Sequence, residues 1–467
     1  MPRASAGTSS PAHQESSLSA EAAIAEWIRN DLGAEATVIT RQARWRPVWL
    51  VDADRDGQTL QLLVRGERGD DQPMPFGLQH EMALQKTMSD LGVKVPAVHG
   101  WIDSLPAYVM DRHPGRPGFD DLTTEQRDAV MREYMATLAQ IHRLPIEPFA
   151  AAGVRRAANT ADAGAFGMGL FEDLFRAGKT APNPLLEFML GWLHRNPVNT
   201  RGRESAIVWD SGQLLQLDGK LVVILDFDIG HIGDPMMDLA APRMRDTVLH
   251  FGDFTTLYAE YERAGGYPID IDAVELHHIA FTLTNELAFR NSLTNPRLDT
   301  DYMTNLHWCS ETNLHAVEAL AERLDIDLEP PVLPEPTPTQ VGAAQQQLVD
   351  MLRNTSTEDE YLRYRLRIGY RLARYLQRES EVGAELTNAD LDELKPLLGY
   401  RPTSWREGDA ALEEFVLADD GRHDADLCRL FYRRQMRQRA TLGPPGSAMA
   451  AHHTCQPFRA KLPLGGG

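Results

Sequence analysis

AIVWDSGQLLQLDGKLVVILDFDIGHIGDPMMDLA, residues 206–240, places two acidic side chains at the two ends of a predicted β-hairpin. Leu214–Leu217 and Leu221–Leu225 are apolar runs, and the Asp-Gly-Lys between them is typical of a tight hairpin turn. Asp210 precedes the first arm and Asp226 follows the second. Because the arms are similar in length, we expect the hairpin to bring these carboxylates close together.

Phosphoryl transfer requires side chains of these types. One carboxylate orients the acceptor hydroxyl and takes its proton, and a second holds the magnesium ion that bridges the nucleotide phosphates. An amide oxygen, here from Gln213, completes the shell of the ion without adding charge. The sequence therefore predicts a phosphoryl-transfer site at the rim of the hairpin.

The order of motifs in this stretch resembles the aminoglycoside-phosphotransferase-like (choline-kinase-like) family, which has the protein kinase fold. The family's catalytic loop reads His-Gly-Asp, four residues and Asn, followed by a hairpin and an Asp. It often continues as Asp-Trp/Phe-Glu/Asp, Gly-Asp-Pro and Asp-Leu-Ala. This sequence has Asp226-Phe227-Asp228, Gly233-Asp234-Pro235 and Asp238-Leu239-Ala240 in that order.

The resemblance implies a role for each of three side chains. Asp210 stands at the position of the catalytic base, while Gln213 and Asp226 stand at the positions of the metal ligands. The cofactor implied is Mg²⁺, with ATP or GTP as co-substrate. The acceptor implied is a small molecule with a hydroxyl group, such as a hydroxyacyl-CoA or an aminoglycoside-like compound.

Upstream residues extend the resemblance to roughly residues 30–325. Arg65 closes a predicted strand where the family has a basic residue that contacts phosphates, and Glu81 lies on the next helix as its partner. Tyr108–Asp111, which includes Met110, resembles the hinge segment that holds the adenine. The resemblance thus implies nucleotide binding by Arg65, Glu81 and Met110.

The sequence also departs from the family's pattern. Val208-Trp209 replaces His-Gly before the catalytic Asp, and Gln213 replaces Asn. Residues 40–47, where the family has a glycine-rich turn, contain no glycine but three arginines, Arg44 among them. Two readings stay open: the arginines bind the nucleotide phosphates by charge, or the chain is a pseudokinase that acts as a scaffold for a partner enzyme.

Predicted elements outside this stretch divide the chain into units. A β-rich region around one helix precedes a mainly helical region whose first helix begins at a capping box, Thr123 and Gln126. We predict a two-lobed α+β fold like that of protein kinases, followed by a small all-helical domain. The units are a disordered tail (1–18), the N-lobe (19–112), the C-lobe with the catalytic loop (113–328), a Pro-rich linker (329–345), the helical domain (346–442) and a loose tail (443–467).

The C-terminal region, especially residues 372–442, resembles a small helical domain of unknown function. That domain is often encoded beside these kinases and acyl-CoA dehydrogenases. The resemblance implies a link to acyl-CoA catabolism, with an acyl-CoA dehydrogenase as a possible partner.

Composition and charge exclude several classes of protein. A formal net charge of −20 argues against a general nucleic-acid binder, which needs basic patches. No run of about 18 apolar residues is present, so we expect no membrane span. Three widely separated cysteines are too few for a disulfide framework and are typical of the reducing cytoplasm, where we expect the protein.

Overall fold

The computed structural model describes residues 11–44, 46–68, 74–298, 300–443 and 454–457 of the chain, with the backbone alone for residues 11–19. Predictions for residues 1–10 and for most of the C-terminal tail therefore lie outside the described residues. No helix in the described part of the chain is long and apolar enough to cross a membrane.

An antiparallel five-stranded sheet forms the N-lobe, with one helix on each face. The strands run in the order β1-β2-β3-β5-β4. The elements are α1 (Pro11–Leu32), β1 (Glu35–Arg41), β2 (Val48–Arg55), β3 (Gln58–Gly66), α2 (Leu78–Asp90), β4 (Val98–Ile102) and β5 (Ala107–Asp111). β2 and β3 form a hairpin that turns at Asp56 and Gly57, which have φ of 55° and 81°.

Alternation along the strands explains why both faces are covered. Trp49 and Val51 of β2 are buried on one face, where Ile24 and Ile28 of α1 pack against them. On the opposite face, α2 packs on Tyr108 and its neighbours in β5. The sequence analysis found α2 but missed α1 and β1, so the predicted single helix across the sheet is corrected to two.

The N-terminal helix also begins earlier than the predicted N-lobe boundary. The backbone is helical from Pro11, so residues 11–18, assigned to a disordered tail, are part of α1. The segment 19–26 is rich in Ala and Glu, which favour helices, and burial of Ile24 and Ile28 against the sheet then stabilises the helix.

The C-lobe is mainly helical and contains two small two-stranded sheets. Its first helix starts at the predicted capping box, in which Thr123 Oγ1 accepts from the Gln126 N–H and Gln126 Oε1 accepts from the Thr123 N–H. Its helices are α3 (Thr124–Arg143), α4 (Glu147–Ala151), α5 (Phe166–Gly178), α6 (Pro184–Arg195), α7 (Met236–Ala240), α8 (Pro242–Leu249), α9 (Phe254–Arg263), α10 (Ile271–Thr282), α11 (Thr284–Thr294) and α12 (Tyr302–Leu324), with a 3₁₀ turn at Thr160–Asp162.

Four short strands position the segment that carries the predicted chemistry. β6 (Ser205–Ile207) pairs with β9 (His231–Gly233), and β7 (Leu214–Leu217) pairs with β8 (Lys220–Ile224). The β7–β8 hairpin turns at Asp218 and Gly219, which both have positive φ, as the sequence predicts. The two loops that carry Asp210 and Asp226 therefore lie at the same edge of these sheets.

Four further helices follow an extended segment without regular structure from residue 326 to 339. They are α13 (Gly342–Asn354), α14 (Glu360–Leu398), α15 (Trp405–Ala418) and α16 (Asp424–Leu442). α13 thus begins inside the predicted linker. The helices do not pack as a separate body: Phe431 of α16 stacks on Phe188 of α6 at 5.4 Å, within one apolar core shared with the C-lobe. The predicted two-lobed α+β fold with an all-helical C-terminal region is confirmed.

Candidate active site

The loop that carries Asp210 is held by buried backbone contacts from a single carboxylate. Asp238 of α7 accepts hydrogen bonds from the backbone N–H groups of Val208 (2.9 Å) and Trp209 (2.5 Å). Its Oδ2 also lies 3.1 Å from Nε2 of His142, near the end of α3. Trp209 has φ of 61°, a conformation that a non-glycine residue keeps only when its surroundings enforce it. Asp238 is therefore a positioning residue for the loop.

Asp234 of the Gly-Asp-Pro motif also has a structural role. Asp234 is fully buried and accepts two hydrogen bonds of 3.1 Å from the guanidinium of Arg203. Nε2 of His277 lies 3.2 Å from its second oxygen. These contacts tie the segment after β9 to α10, away from the hairpin edge.

Gln213 joins the two acidic side chains of the hairpin. Its amide nitrogen donates to Oδ2 of Asp210 at 2.8 Å and to Oδ2 of Asp226 at 2.8 Å. The two carboxylate oxygens are therefore at most twice that distance apart. The structure thus brings Asp210, Gln213 and Asp226 together, as the hairpin geometry predicts.

Asp210 has a second partner that the sequence analysis did not name. Arg245 of α8 donates to Oδ1 of Asp210 from Nε at 3.1 Å and from Nη2 at 2.5 Å. Burial raises the pKa of Asp210; Arg245 opposes this rise, and the nearby negative charge of Asp226 adds to it. Asp210 is the carboxylate of the pair that accepts a proton more readily.

The pKa of Asp226 is shifted in the opposite direction. Burial alone would raise its pKa, but the positive charges of Arg65, Arg46 and Arg68 outweigh that effect and hold the pKa below its usual range. Arg65 Nη2 donates to Asp226 Oδ1 at 2.7 Å. The pKa values of the two neighbouring carboxylates are thus shifted in opposite directions. This arrangement is expected where one carboxylate accepts a proton and the other stays charged as a ligand.

A cluster of six charges continues from Asp226 across the two lobes. Glu81 on α2 pairs with Arg65 Nε at 2.7 Å and with Arg46 Nη2 at 2.8 Å, and Arg68 pairs with Asp228. We call it the lobe-bridging cluster; its members are Arg46, Arg65, Arg68, Glu81, Asp226 and Asp228. Three positive and three negative groups balance, which lowers the cost of burying them.

The remaining predicted nucleotide-binding residues lie apart from one another. Arg44, between β1 and β2, has no ion-pair partner among the described residues; burial, and then repulsion by Arg65, lower its pKa. Met110 lies on β5, where Gln85 Nε2 contacts its sulfur at 3.3 Å. Arg44 lines the same cavity as Asp210, whereas Met110 does not.

A cavity of about 770 Å³ opens from these carboxylates into the C-lobe. Its inner walls are largely apolar and aromatic, and come from α5, α8, α10, α11 and α12. These wall residues are Phe171, Met244, Val248, Leu249, Phe281, Ala288, Phe289 and Trp308. Its volume is in the range of sites for small organic ligands.

The side chains at the hairpin edge fit a magnesium ion by their chemistry. Asp210 and Asp226 supply carboxylate oxygens, and Gln213 reaches both with an amide that carries one further oxygen. Hard oxygen ligands of this kind are those that Mg²⁺ prefers. No group of three or more His, Cys, Asp or Glu side chains within the described ranges forms a metal site by itself.

Three site residues were missed by the sequence analysis. Arg46 pairs with Glu81 across 35 positions, Arg68 with Asp228 across 160, and Arg245 with Asp210 across 35. None lies in a motif. The arginines of 40–47 were the one available signal, and the structure shows that Arg46 serves the buried ion pair while Arg44 faces the cavity.

Comparison with known proteins identifies the family of the domain. A family model described as the phosphotransferase enzyme family, APH, matches residues 40–277, just over half of the chain. No curated protein matches the chain.

Three phosphotransferases are among the solved structures to which the chain is similar. The macrolide 2′-phosphotransferase MphH from Brachybacterium faecium is 17% identical, with a TM-score of 0.43 over 62% of this chain and 97% of that one. Spectinomycin phosphotransferase APH(9)-Ia, solved with ADP and spectinomycin, is 11% identical, with a TM-score of 0.42 over 62% and 93%. Aminoglycoside phosphotransferase APH(4)-Ia is 12% identical, with a TM-score of 0.41 over 63% and 98%.

Proposed function

Since the chain belongs to the phosphotransferase enzyme family, it is a small-molecule kinase, and we propose that it moves the γ-phosphate of ATP or GTP to a hydroxyl of an acceptor with an apolar body. The observation that carries this proposal is the shared hydrogen bonding of Asp210 and Asp226 to Gln213, together with the opposite shifts of their pKa values. One of the pair is suited to accept a proton and the other to remain charged.

In the proposed mechanism Asp210 is the catalytic base. It accepts the proton of the acceptor hydroxyl as the oxygen attacks the γ-phosphorus, and the bond from that phosphorus to the β–γ bridging oxygen breaks. Arg245 holds the carboxylate in place from the side of α8. Because the pKa of Asp210 is raised, its affinity for that proton is greater than that of a solvated aspartate.

Arginine side chains meet the phosphates in this mechanism. Arg44 has no carboxylate partner among the described residues and faces the cavity, so its guanidinium binds the γ-phosphate. Arg65 is held by Glu81 beside Asp226 and binds the phosphates further in. Charge-assisted contacts replace the backbone N–H groups of a glycine-rich turn. We place Met110 at the hinge beside the adenine.

Asp226 and Gln213 are the residues that would hold Mg²⁺, which neutralises phosphate charge when bound. Gln213 donates its amide nitrogen to both carboxylates here, so binding requires the amide to turn and present its oxygen. Arg65 donates to Oδ1 of Asp226, so that Oδ2, which faces the Gln213 amide, is the oxygen available to the ion. The side chains thus provide the oxygens without moving the hairpin.

The cavity favours one class of acceptor. Its walls are largely apolar, and each carboxylate among the described lining residues already faces an arginine, Glu311 for example facing Arg439 at 3.1 Å. A polycationic aminoglycoside finds no carboxylate there without an arginine partner. Of the acceptors that the family resemblance implies, the lining supports a hydroxylated acyl compound such as a hydroxyacyl-CoA.

Two measurements test the proposal. Asp210→Asn is expected to abolish phosphate transfer while MgATP still raises the melting temperature, whereas Asp226→Ala is expected to lose both. A screen of hydroxyacyl-CoAs, aminoglycosides and simple alcohols identifies the acceptor. Full transfer activity in Asp210→Asn would contradict the role of Asp210 as base.

The absence of glycine in residues 40–47 favours one alternative, a kinase-like scaffold for a partner enzyme such as an acyl-CoA dehydrogenase. The two functions predict different responses to nucleotide. If neither MgATP nor MgGTP at millimolar concentration raises the melting temperature, the scaffold is the better description.

A further inference from the structure

We propose that Arg371, beside His307, forms an anion-binding subsite in the cavity, and that the acceptor is therefore a hydroxy compound with an apolar body and an anionic group. The inference rests on the proposed function, because it names the substrate class of that same site. It also assigns a function to the C-terminal helices, since α14, which carries Arg371, follows the residues that the family model matches.

Arg371 extends from α14 into the wall of the cavity and is poorly satisfied there. Its Nη2 lies 2.8 Å from Nδ1 of His307 on α12, which is its one hydrogen bond in the described part of the chain. Its Nε is buried without a hydrogen-bond partner. A guanidinium has five N–H donors, so most of its capacity to bind oxygen is unused.

Charge pairing separates Arg371 from two of the other arginines that line the cavity, and the remaining one, Arg44, is assigned to the nucleotide phosphate above. Arg245 pairs with Asp210 and Arg68 with Asp228, and both pairs belong to the end where phosphate transfer is proposed. Arg371 has no carboxylate within 4 Å among the residues that the structure covers; the charge of Asp301 acts on it from further away. Burial lowers its pKa, so a bound anion would relieve an unfavourable placement.

His307 is the neighbour whose contact with Arg371 a bound anion would replace. It is 2% exposed, it lines the cavity, and its Nε2 is buried without a hydrogen-bond partner. Its Nδ1 lies 2.6 Å from the Met303 carbonyl oxygen as well as 2.8 Å from Arg371, and one ring nitrogen cannot satisfy both at once. Burial, and also the charge of Arg371, lower the pKa of His307. An anionic oxygen would accept from Arg371 and leave Nδ1–H to Met303.

The position of the subsite assigns the anion to the acceptor and not to the nucleotide. His307 precedes Trp308 on the face of α12 that lines the apolar part of the cavity. The nucleotide phosphates have their own cations in the mechanism above, Arg44 and Arg65. An acceptor whose apolar body packs against Trp308 and Phe289 would place a carboxylate or phosphate group within the reach of Arg371.

Binding of simple probes tests the subsite without any turnover. Isothermal titration calorimetry of decanoate, decyl phosphate and decanamide compares a carboxylate, a phosphate and a neutral group on the same chain. We expect the better anion to bind about tenfold to a hundredfold more tightly than decanamide, the range for hydrogen bonds to a charged group. If decanoate binds better than decyl phosphate, the anionic group of the acceptor is a carboxylate; if decyl phosphate binds better, it is a phosphate.

Variants of α14 connect the effect to one side chain. In Arg371→Met we expect the anion-to-amide preference to disappear, and in Arg371→Lys to persist in part. Arg374→Met is the matched control, because Arg374 is also partly buried on α14 but bonds Gln377 outside the cavity. Equal affinity for the three probes in the unaltered protein, or a preference that survives in Arg371→Met, would overturn the proposal. Since no phosphate is transferred, neither outcome depends on the kinase assignment.

Discussion

Neutralising Glu81 is the sharpest test of how the lobe-bridging cluster supports the site. The side chain is 2% exposed and lies between Arg46 and Arg65, while the Tyr108 hydroxyl donates to it at 3.1 Å. Glu81→Gln keeps the shape but removes one of three balancing negative charges. A net positive charge then remains buried between the lobes, and Arg65 loses the contact that directs it towards Asp226.

The magnitude follows from the burial of the partners. Removing one member of a buried ion pair costs about 3–5 kcal/mol, because the other member is left uncompensated. Lys86 and Asp90 provide the control on the same helix: they pair at 2.7 Å, with 50% and 62% of their side chains exposed. Exposed pairs of this kind contribute about 0–1 kcal/mol, so Lys86→Gln is expected to change little.

Urea unfolding followed by tryptophan fluorescence measures both variants. We expect Glu81→Gln to lower the free energy of unfolding by several kcal/mol relative to Lys86→Gln, and to raise KM for MgATP because Arg65 is no longer held. If the two variants unfold at the same urea concentration, the buried charges do not stabilise the lobe contact and the reasoning is wrong.

Three further predictions concern pH, packing and a buried imidazole. Arg245→Gln removes a charge that lowers the pKa of Asp210, so the acidic limb of the kcat/KM profile is expected to move to higher pH. Phe431→Ala removes a stacked partner of Phe188 from the shared core and is expected to cost about 3–5 kcal/mol in urea unfolding. Burial lowers the pKa of His231 to about 3, whereas the pKa of a histidine in the unfolded chain is about 6.5, so unfolding takes up a proton between these pH values. The stability that neutral His231 contributes is therefore present above pH 6.5 and is lost as pH falls towards 3. His231→Phe is expected to flatten that dependence of stability on pH.

Each of these predictions has a contradicting result. An unchanged acidic limb in Arg245→Gln would mean that another group controls it. A loss below 1 kcal/mol in Phe431→Ala would mean that the helical region is only loosely joined to the C-lobe. If His231→Phe loses stability with falling pH as steeply as the unaltered protein, other buried groups cause the pH dependence.

Local chemistry explains most of what could be predicted. Turn residues and apolar arms specify the β7–β8 hairpin, which brings the carboxylates at its two ends near each other. Capping at Thr123 and the Asp-Gly turn of β2–β3 are local in the same way. The same kind of reasoning missed α1, because its stability comes from packing on the sheet, which the sequence of the helix does not show.

By itself, then, the sequence determined the meeting of Asp210, Gln213 and Asp226, which depends on contacts within one short stretch, and its order of motifs indicated the two-lobed α+β fold. Only the tertiary structure decided which cations surround them. Arg46, Arg245 and Arg371 come from distant positions and reach the site because separate helices and strands pack together. An arginine carries the same charge wherever it lies, so its sequence position does not reveal the carboxylate or ligand that it faces.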